Sequence, residues 1–344
     1  MSNQVIVEDK AARFLQSQEK IQAPYELDPE LCLYCPQDNM DSLSHPRIAD
    51  WIEFVTERYM PPLPEGGRKV LLMMPCTATK PYPFSTEHRA INRRLYDEGF
   101  RPVARQPLAQ ELCARLGPDD PQELLDVSIL SDGKGTYIHR AVISEPMALV
   151  PYETITGYEG KPSPCHAYDD PGLFEKRGNA VSPWREDSTA VQVGPSKWAW
   201  GDNEKRAYVE MHNEMARLLA KAMERIGGLY DARISWVAPG LTHRSFVLER
   251  AARKAHGVPA FKKVAGENLA FTGANDLLPE HLKITCLPLA ADCTDAIERL
   301  AKRLGTTPDR VGSHWSRGGA NATPLALPEL LDVLVENILE KEDA

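Results

Sequence analysis

Apolar residues along the chain alternate between short continuous runs and helical spacing. Residues 69–74 form an apolar run closed by a proline, which is typical of a buried strand, and residues 87–98 carry apolar positions at helical intervals. The alternation continues, with candidate strands at 124–130, 140–143, 233–237 and 283–287 and candidate helices at 11–19, 45–59, 107–116, 202–226, 243–256, 292–304 and 328–341. Strands that alternate with helices predict an α/β fold with a mostly parallel central sheet flanked by helices.

One long segment, residues 144–200, breaks this alternation because it is rich in Pro, Gly and aromatic residues and has little periodicity. Irregular segments of this length are uncommon inside a compact domain and usually serve a function. We therefore expect it to wrap over the strand ends as a long irregular substrate loop.

The polar, loop-like residues 257–279 indicate a boundary near 258. We divide the chain into an N-terminal arm at 1–36, a core module at 37–257 and a C-terminal α/β extension at 258–344. The extension either forms a unit of its own or continues the same sheet.

A length of 344 residues with 42% hydrophobic residues allows a sizeable core. No apolar run approaches the roughly 20 residues needed to span a bilayer, and the N-terminal segment is too charged for a secretory signal. The seven cysteines are odd in number and irregular in spacing, which indicates reduced thiols and no disulfide framework. We expect a cytoplasmic protein that does not act at a membrane.

The formal net charge of -9 gives the chain no overall basic footprint of the kind usual in nucleic-acid binders. Five arginines nevertheless follow the first strand closely, at Arg89, Arg93, Arg94, Arg101 and Arg105. They form either a solvated helix face or a patch that contacts phosphates.

Candidate chemistry concentrates between the strand at 69–74 and the helix at 87–98. Ligands in open α/β sheets bind outside the carboxyl ends of strands, and a helix N-terminus lowers the pKa of a nearby thiol. A neighbouring Lys or protonated His does the same, so Cys76 with Lys80 and His88 could act as a thiol nucleophile. The alternative is a cysteine that only packs, as buried cysteines commonly do.

The segment also resembles the signature of the core module of archaeosine synthase. That signature reads Pro-Cys-x3-Lys-Pro-Tyr-x2-Ser-x2-His, and its fixed positions are filled by Pro75, Cys76, Lys80, Pro81, Tyr82, Ser85 and His88. Other blocks of the family are matched by His45-Pro46, Trp51-Ile52, Tyr59-x-Pro61-Pro62, Ser144-x-Pro146-x2-Leu149-Val150-Pro151-x-Glu153 and Tyr168-Asp169-x-Pro171. The likeness spans roughly residues 40 to 250.

The family's long form carries a transglycosylase-like barrel before this module and a PUA-type RNA-binding domain after it, and we expect neither here. His166 also lies one residue further from Tyr168 than the family pattern has it. The resemblance therefore implies a stand-alone, bacterial-type relative. Its core is further expected to share the α/β layout of uracil-DNA glycosylases.

Archaeosine synthase adds an amine to the nitrile of 7-cyano-7-deazaguanine (preQ0) in tRNA. A thiolate can attack the nitrile carbon to give a thioimide, which water converts to an amide and an amine to an amidine. The resemblance thus implies that Cys76 is the nucleophile, that His88 or Lys80 moves protons, and that Tyr82 and Ser85 orient the nitrile.

Three acids of the later blocks are candidates for binding the guanine-like edge of the base. Glu145, Glu153 and Asp169 can each accept hydrogen bonds from its N–H donors, with Tyr168 beside Asp169 in the same site. Any of the three acids could instead be a salt-bridged surface residue.

The favoured function is hydration of the nitrile to the amide in DNA, by analogy with bacterial gene clusters that place 7-deazaguanines in DNA and include a nitrile-hydrating component. One alternative is addition of an amine, lysine or ammonia, on tRNA, and another is a free nucleoside or nucleotide as substrate. A different class would be a non-catalytic binder of the modified base or a glycosylase-like protein that reads a flipped base.

No cofactor is expected, because the chain has no Gly-x-Gly-x-x-Gly or Walker-type sequence and residues 133–136 are better explained as a hairpin turn.

Cys32 and Cys35 either form half of a zinc site or are two ordinary thiols. Residues that could complete such a site are His45, His166, Cys165 and Cys293. Residues 314–319, with Arg and Trp beside glycines, could contact a base or phosphate or form a plain surface loop.

Overall fold

The computed structural model describes residues 10–106, 110–114, 116–117, 120–170, 180–194, 197–311 and 324–340. Its strands are β1 Arg68–Pro75, β2 Arg101–Pro102, β3 Leu130–Ser131, β4 Thr136–Ser144, β5 Ala148–Pro151, β6 Gly157–Tyr158, β7 Lys161–Pro162, β8 Val191–Gly194, β9 Lys197–Ala199, β10 Ala232–Trp236, β11 Phe261–Val264, β12 Glu267–Ala270 and β13 Thr285–Leu287. Its helices are α1 Lys10–Gln18, α2 Pro36–Ser42, α3 Pro46–Glu53, α4 Thr86–Asp97, α5 Gln110–Cys113, α6 Asp202–Ile226, α7 Thr242–Val247, α8 Ala274–Leu277, α9 Ala290–Arg303 and α10 Pro328–Leu339.

The central sheet has the strand order β13-β10-β1-β4-β3-β2, and β5 also pairs with β4. β13, β10, β1 and β4 run parallel, whereas β3 and β5 are antiparallel to β4. Helices flank this sheet, so the predicted α/β class with a mostly parallel sheet is confirmed. The hairpins β6–β7, β8–β9 and β11–β12 lie outside the sheet.

The chain leaves β1 and β10 in opposite directions across the sheet. After β1 it continues to β4 on one side, and after β10 it continues to β13 on the other side. A reversal of this kind opens a crevice at the carboxyl ends of the two neighbouring strands, which is where open α/β sheets bind ligands.

The interior position of β1 follows from its sequence. Residues 70–74 are five consecutive apolar residues, and all are fully buried. Parallel strands covered on both faces show such continuous apolar runs. Each fully buried side chain of this kind contributes about 1.5–3 kcal/mol through burial of its apolar surface, so this run holds β1 between β4 and β10.

Several sequence predictions differ from the structure for local reasons. The predicted strand 124–130 instead begins within a 3-10 turn at Gln122–Leu125 and contributes only Leu130 to β3. The Asp126 carboxylate accepts hydrogen bonds from the backbone N–H groups of Gln106 and Ser128, and such local bonds compete with strand pairing.

The predicted helix 243–256 is also shorter in the structure, because α7 ends at Val247. The Arg253 guanidinium donates to the carbonyl oxygen of Ser245 at 2.6 Å, so a side chain satisfies an acceptor that a longer helix would bond. The predicted turn at 133–136 does join two antiparallel strands, with Gly133 and Gly135 at positive φ.

Residues on both sides of the core module pack into the same unit. β13 pairs with β10 through Ser235 and Cys286, so the region after 258 continues the central sheet. At the other end, Ile21 forms a bridge with Lys80. The N-terminal arm therefore runs across the segment that follows β1.

The expected substrate loop, residues 144–200, contains more regular structure than its composition predicts. Its described part holds β5 and the hairpins β6–β7 and β8–β9, with 3-10 turns at Tyr152–Thr154 and Pro164–His166. Across the described part of the chain, no helix combines the length and apolar character needed to cross a membrane.

Arg140 supplies a test of the core because it is a buried cation on β4. It is 1% exposed and donates to Asn92 Oδ1 at 2.9 Å, Asp126 O at 2.9 Å and Ser128 O at 2.7 Å. We expect Arg140→Met to lower the free energy of unfolding by about 3 kcal/mol or more, because three buried acceptors lose their donor. Urea denaturation measures the change.

Arg105→Met is the matched control, since the Arg105 side chain is 79% exposed and pairs only with Glu123 among its described contacts. Its effect should stay within about 0.5 kcal/mol. Equal losses in the two variants would contradict a structural role for the buried guanidinium.

Candidate active site

Cys76 lies at the carboxyl end of β1, at the mouth of the crevice between β1 and β10. It follows Pro75, the last residue of the strand, and its backbone N–H donates to Ile143 O of β4 at 3.0 Å. Its side chain is partly exposed, unlike those of the five residues 70–74 within the strand. The parallel pairing therefore fixes the backbone of Cys76 while leaving its thiol accessible.

Two further strands deliver polar side chains to this thiol. Glu145 directly follows β4, and His243 is the second residue of α7, which comes after β10. His243 Nε2 lies 3.2 Å from Cys76 Sγ and 3.2 Å from Glu145 Oε2, and Sγ lies 3.7 Å from Oε2. The carboxyl ends of β1, β4 and β10 thus bring a thiol, a carboxylate and an imidazole together.

Electrostatics favour the charged form of His243. Burial by itself lowers its pKa, but the negative charges of Glu145 and Cys76 raise it well above its ordinary value. We therefore describe His243 as an imidazolium at neutral pH, held between a carboxylate and a sulfur atom. It can donate a proton at Nε2.

Three hydroxyl groups form a buried cluster beside the thiol. Tyr82 OH lies 2.9 Å from Ser144 Oγ and 2.8 Å from Tyr168 OH, and the last two oxygens are 2.5 Å apart. Burial raises the pKa of both tyrosines, and negative charge on Cys76 raises it further. The phenols therefore remain protonated donors near Sγ.

Lys80 contacts this hydroxyl cluster through the ring of Tyr168. Its side chain is 1% exposed, and its Nζ is 4.3 Å from the centre of the Tyr168 ring, which is a cation–π contact. Its backbone carbonyl accepts from Gln22 N at 3.0 Å. The described contact of the Lys80 ammonium is thus with the Tyr168 ring, and no described contact joins it to the Cys76 thiol.

His88 supports the carboxyl end of β1. Both of its ring nitrogens bond to groups other than the Cys76 thiol. Nε2 lies 2.9 Å from Pro75 O and Nδ1 lies 2.6 Å from Tyr152 OH. Since a carbonyl only accepts, Nε2 carries the hydrogen and Nδ1 accepts from Tyr152. Burial lowers the pKa of His88 to about 4, so the ring is neutral and positions the residue before Cys76.

Ser85 caps the helix that follows the motif. Its hydroxyl accepts from His88 N at 3.2 Å, at the N-terminus of α4. Ser, at an N-cap, typically contributes about 1 kcal/mol to helix stability. The geometry therefore shows Ser85 at the helix start, and the substrate contact expected from the sequence stays a prediction.

Glu153 lies away from the thiol, contrary to its expected place at the base. The antiparallel β5 carries the chain back along β4, so that Glu153 Oε2 is 3.0 Å from His139 Nε2 and Glu153 Oε1 accepts from Tyr59 OH. His139 precedes Ile143, the partner of Pro75, by four residues, a span of roughly 13 Å in a strand. This buried pair is part of the core.

Asp169 is fully buried and joined to the N-terminal arm. Its Oδ2 accepts from Lys20 Nζ at 2.6 Å, and its backbone bridges to Cys32. Its Oδ1 has no hydrogen-bond partner among the described atoms, and neither has Glu145 Oε1. Each of these acids, predicted to read the base, therefore has one buried oxygen that could accept a further hydrogen bond.

Cys32 and Cys35 have the environment of inert thiols. Burial raises the pKa of Cys32 to about 11 and that of Cys35 to about 12. Cys35 caps α2 by accepting from Asp38 N at 3.5 Å, while Cys32 lines a surface cleft of about 800 Å³ together with His45 and Trp184. Over the described residues, neither cysteine belongs to a cluster of three possible metal ligands.

Such a cluster is formed by Cys76, Glu145 and His243, whose donor atoms lie within 4.8 Å of one another. These three could therefore hold a metal ion. His243 is not among the residues predicted from the sequence. A histidine shortly after the predicted strand 233–237 is nevertheless a signal that could have identified it as a site residue. The carboxyl end of that strand meets the end of β1 at the same edge of the sheet.

The arginines that follow the motif bond within the protein. Arg89 and Arg93 pair with Asp120, Arg94 pairs with Glu98, Arg101 lies over the Tyr96 ring, and Arg105 pairs with Glu123. These contacts favour the interpretation as a surface ion-paired face. The predicted base or phosphate contact at 314–319 and the matched family position Pro171 lie outside the described residues.

Comparison with known proteins gives a match over a short part of the chain. Residues 48–109 match the family described as "Domain of unknown function (DUF5591)", and this range contains β1, Cys76 and α4. Neither the curated proteins nor the solved structures give a match to the chain. The expected likeness to uracil-DNA glycosylases therefore stays a prediction.

His88 predicts a specific pH dependence of stability. Its pKa is about 4 in the folded protein and about 6.5 when unfolded, so the unfolded state binds the extra proton between these values. Stability should therefore fall as the pH is lowered from about 6.5 to about 4, by about 1.4 kcal/mol per pH unit for this group. The difference in unfolding free energy between wild type and His88→Gln, measured by urea denaturation at each pH, isolates the contribution.

The His88→Gln variant cannot titrate at this position and should lose that part of the slope. The buried His166, whose pKa is also lowered to about 4, remains in both proteins and cancels in the difference. A difference that does not vary with pH would mean that His88 is not buried in its neutral form.

Proposed function

We propose that the chain converts the nitrile of 7-cyano-7-deazaguanine in nucleic acid through a thioimide on Cys76, and that it hydrates the nitrile to the amide in DNA. The observation that carries this proposal is the convergence of Sγ, Nε2 and Oε2 at the mouth of the sheet crevice. The archaeosine synthase-like motif at 75–88 supports the choice of substrate.

The first step is attack of the Cys76 thiolate on the nitrile carbon. One carbon–nitrogen π bond breaks as the carbon–sulfur bond forms, and the developing negative charge on nitrogen needs a proton. His243 is suited to supply it from Nε2, because the imidazolium lies 3.2 Å from Sγ. The product of this step is a protein-bound thioimide and a neutral His243.

The second step is attack of water on the thioimide carbon. Neutral His243 accepts a proton from the water and passes it to the nitrogen, which becomes the amino group of the tetrahedral intermediate. When the carbon–sulfur bond breaks, the hydroxyl proton passes to His243, the sulfur leaves as the thiolate and the amide is released, so the Cys76–His243 pair returns to its starting protonation. The net reaction adds one water molecule to the nitrile and needs no oxidant or reductant.

The hydroxyl cluster and Glu145 support these steps in different ways. The phenols of Tyr82 and Tyr168 stay protonated and can donate to a nitrogen that gains negative charge. Glu145 stabilises the imidazolium through the same short contact that raises the pKa of His243. These charges are buried, which strengthens their interaction relative to water.

Recognition of the base is assigned to the two carboxylates with an available oxygen. A guanine-like edge presents several N–H donors, and Glu145 Oε1 and Asp169 Oδ1 are buried acceptors without a described partner. A buried acceptor without a hydrogen bond costs about 1–3 kcal/mol, which binding of the base would recover. Specificity for DNA over tRNA rests on the resemblance to stand-alone bacterial relatives.

Cys76→Ala should abolish the reaction while leaving binding of the modified nucleic acid intact. We expect a fall in turnover of about a thousandfold or more, because the covalent intermediate cannot form. Mass spectrometry of the digested nucleic acid follows the gain of one water by the base. Cys293→Ser, which changes another partly exposed thiol on α9, is the control and should keep full turnover.

The substrate choice is tested by incubating the full chain with DNA and with tRNA that contain 7-cyano-7-deazaguanine, each with and without lysine or ammonia. The proposal expects the amide, formed on DNA, with no need for an amine. An amidine formed only on tRNA would replace hydration with the archaeosine-like reaction. Release of the free base would point to a glycosylase, and unchanged base mass on every substrate would reject the nitrile chemistry.

A further inference from the structure

The side chains of Cys76, Glu145 and His243 bring together three atoms that can each donate an electron pair to a metal ion once His243 Nε2 has lost its proton. Each pair of donor atoms is separated by 3.2 to 3.7 Å. A zinc ion with bonds of about 2.0–2.3 Å to nitrogen, oxygen and sulfur holds neighbouring ligand atoms about 3.3–3.6 Å apart at tetrahedral angles. The observed triangle therefore fits one face of a coordination tetrahedron.

The orientation of His243 distinguishes this geometry from a proton relay. In a nucleophile–His–carboxylate relay, the carboxylate contacts one ring nitrogen and the nucleophile contacts the other. Here Nε2 alone faces both Cys76 Sγ and Glu145 Oε2. A cation at the centre of the triangle satisfies all three donors, whereas one Nε2 proton must be shared.

We propose that Cys76, Glu145 and His243 form a binding site for Zn²⁺ or a similar thiophilic divalent cation. Thiolate, imidazole and carboxylate are ligand types that zinc takes, and three protein ligands with an open fourth position are typical of zinc sites that bind water or substrate. Glu145 and His243 are nearly fully buried while Cys76 is partly exposed, so solvent reaches the three donor atoms from the side of Cys76.

A second observation supports a bound group at this position. Glu145 is 1% exposed, and its Oε1 has no hydrogen-bond partner among the described atoms. A water molecule in the fourth coordination position would place a donor beside this carboxylate. The inference concerns metal binding and does not depend on the proposed nitrile chemistry.

Metal binding and thioimide formation compete for the same sulfur lone pair. A thiolate that coordinates Zn²⁺ is a weaker nucleophile than a free thiolate, because its electron pair is shared with the ion. We therefore expect Zn²⁺ to protect Cys76 from alkylation by iodoacetamide and to inhibit thioimide formation. A chelator should reverse both effects.

Titration of the metal-free full chain with Co²⁺ tests the site without an activity assay. Tetrahedral Co²⁺ with a thiolate ligand gives intense visible absorption and a sulfur-to-metal charge-transfer band in the near ultraviolet. We expect a single Co²⁺ per chain, displaced by Zn²⁺. Cys76→Ser should remove the charge-transfer band, and His243→Ala should weaken binding by about 100-fold or more.

Glu145→Gln, which keeps the size of the side chain and removes its charge, should also weaken binding, and Cys293→Ser should leave it unchanged. Circular dichroism checks that each variant is folded. A missing cobalt spectrum, or one that persists in Cys76→Ser, would overturn the site while leaving the nitrile assay unaffected. Inhibition of turnover by zinc would support both proposals. A requirement for zinc in turnover would support the metal site and overturn the thioimide route.

Discussion

Parallel pairing of β1 with β4 and β10 is the constraint on which the candidate site depends. Pro75 pairs with Ile143, and Met73 pairs with Ser235, so the three strands end close to one level. Residues that follow the strands, directly in the case of Cys76 and Glu145 and after a short loop in the case of His243, then meet in one small volume. The covered, continuously apolar β1 holds this register, because a shift along its neighbours would expose residues that are now fully buried.

His88 and His243 are both buried near the carboxyl end of β1, and their different contacts give them different roles. His88 contacts a carbonyl and a phenol, neither of which offsets the burial of a positive charge, so its pKa falls to about 4. His243 contacts a carboxylate and a thiol that can both be negative, so its pKa rises. The neutral ring serves as a fixed support for Pro75, while the charged ring holds a proton beside Cys76.

The sequence allowed the segment 75–88 to be located because its strand, turn and helix are local patterns. It did not allow His243 to be joined to Cys76, because that contact depends on the order of strands, which periodicity does not determine. The direction in which a side chain points could not be predicted from the sequence either. Ser85 and His88 lie near Cys76 in sequence, but Ser85 bonds to the start of α4 and His88 bonds to Pro75. Glu153 was misplaced because β5 reverses along β4.

The position of a single atom, His243 Nε2, links the two proposed states of the site. When Nε2 carries a proton, that hydrogen lies between Sγ and Oε2 and reduces the repulsion between the thiolate and the carboxylate. When the proton moves to a substrate or is lost, two negative groups 3.7 Å apart remain beside a neutral ring. Two like charges this close, one of them on a buried carboxylate, favour any cation that can replace the proton, so release of the proton and uptake of a metal ion are coupled at the same three atoms.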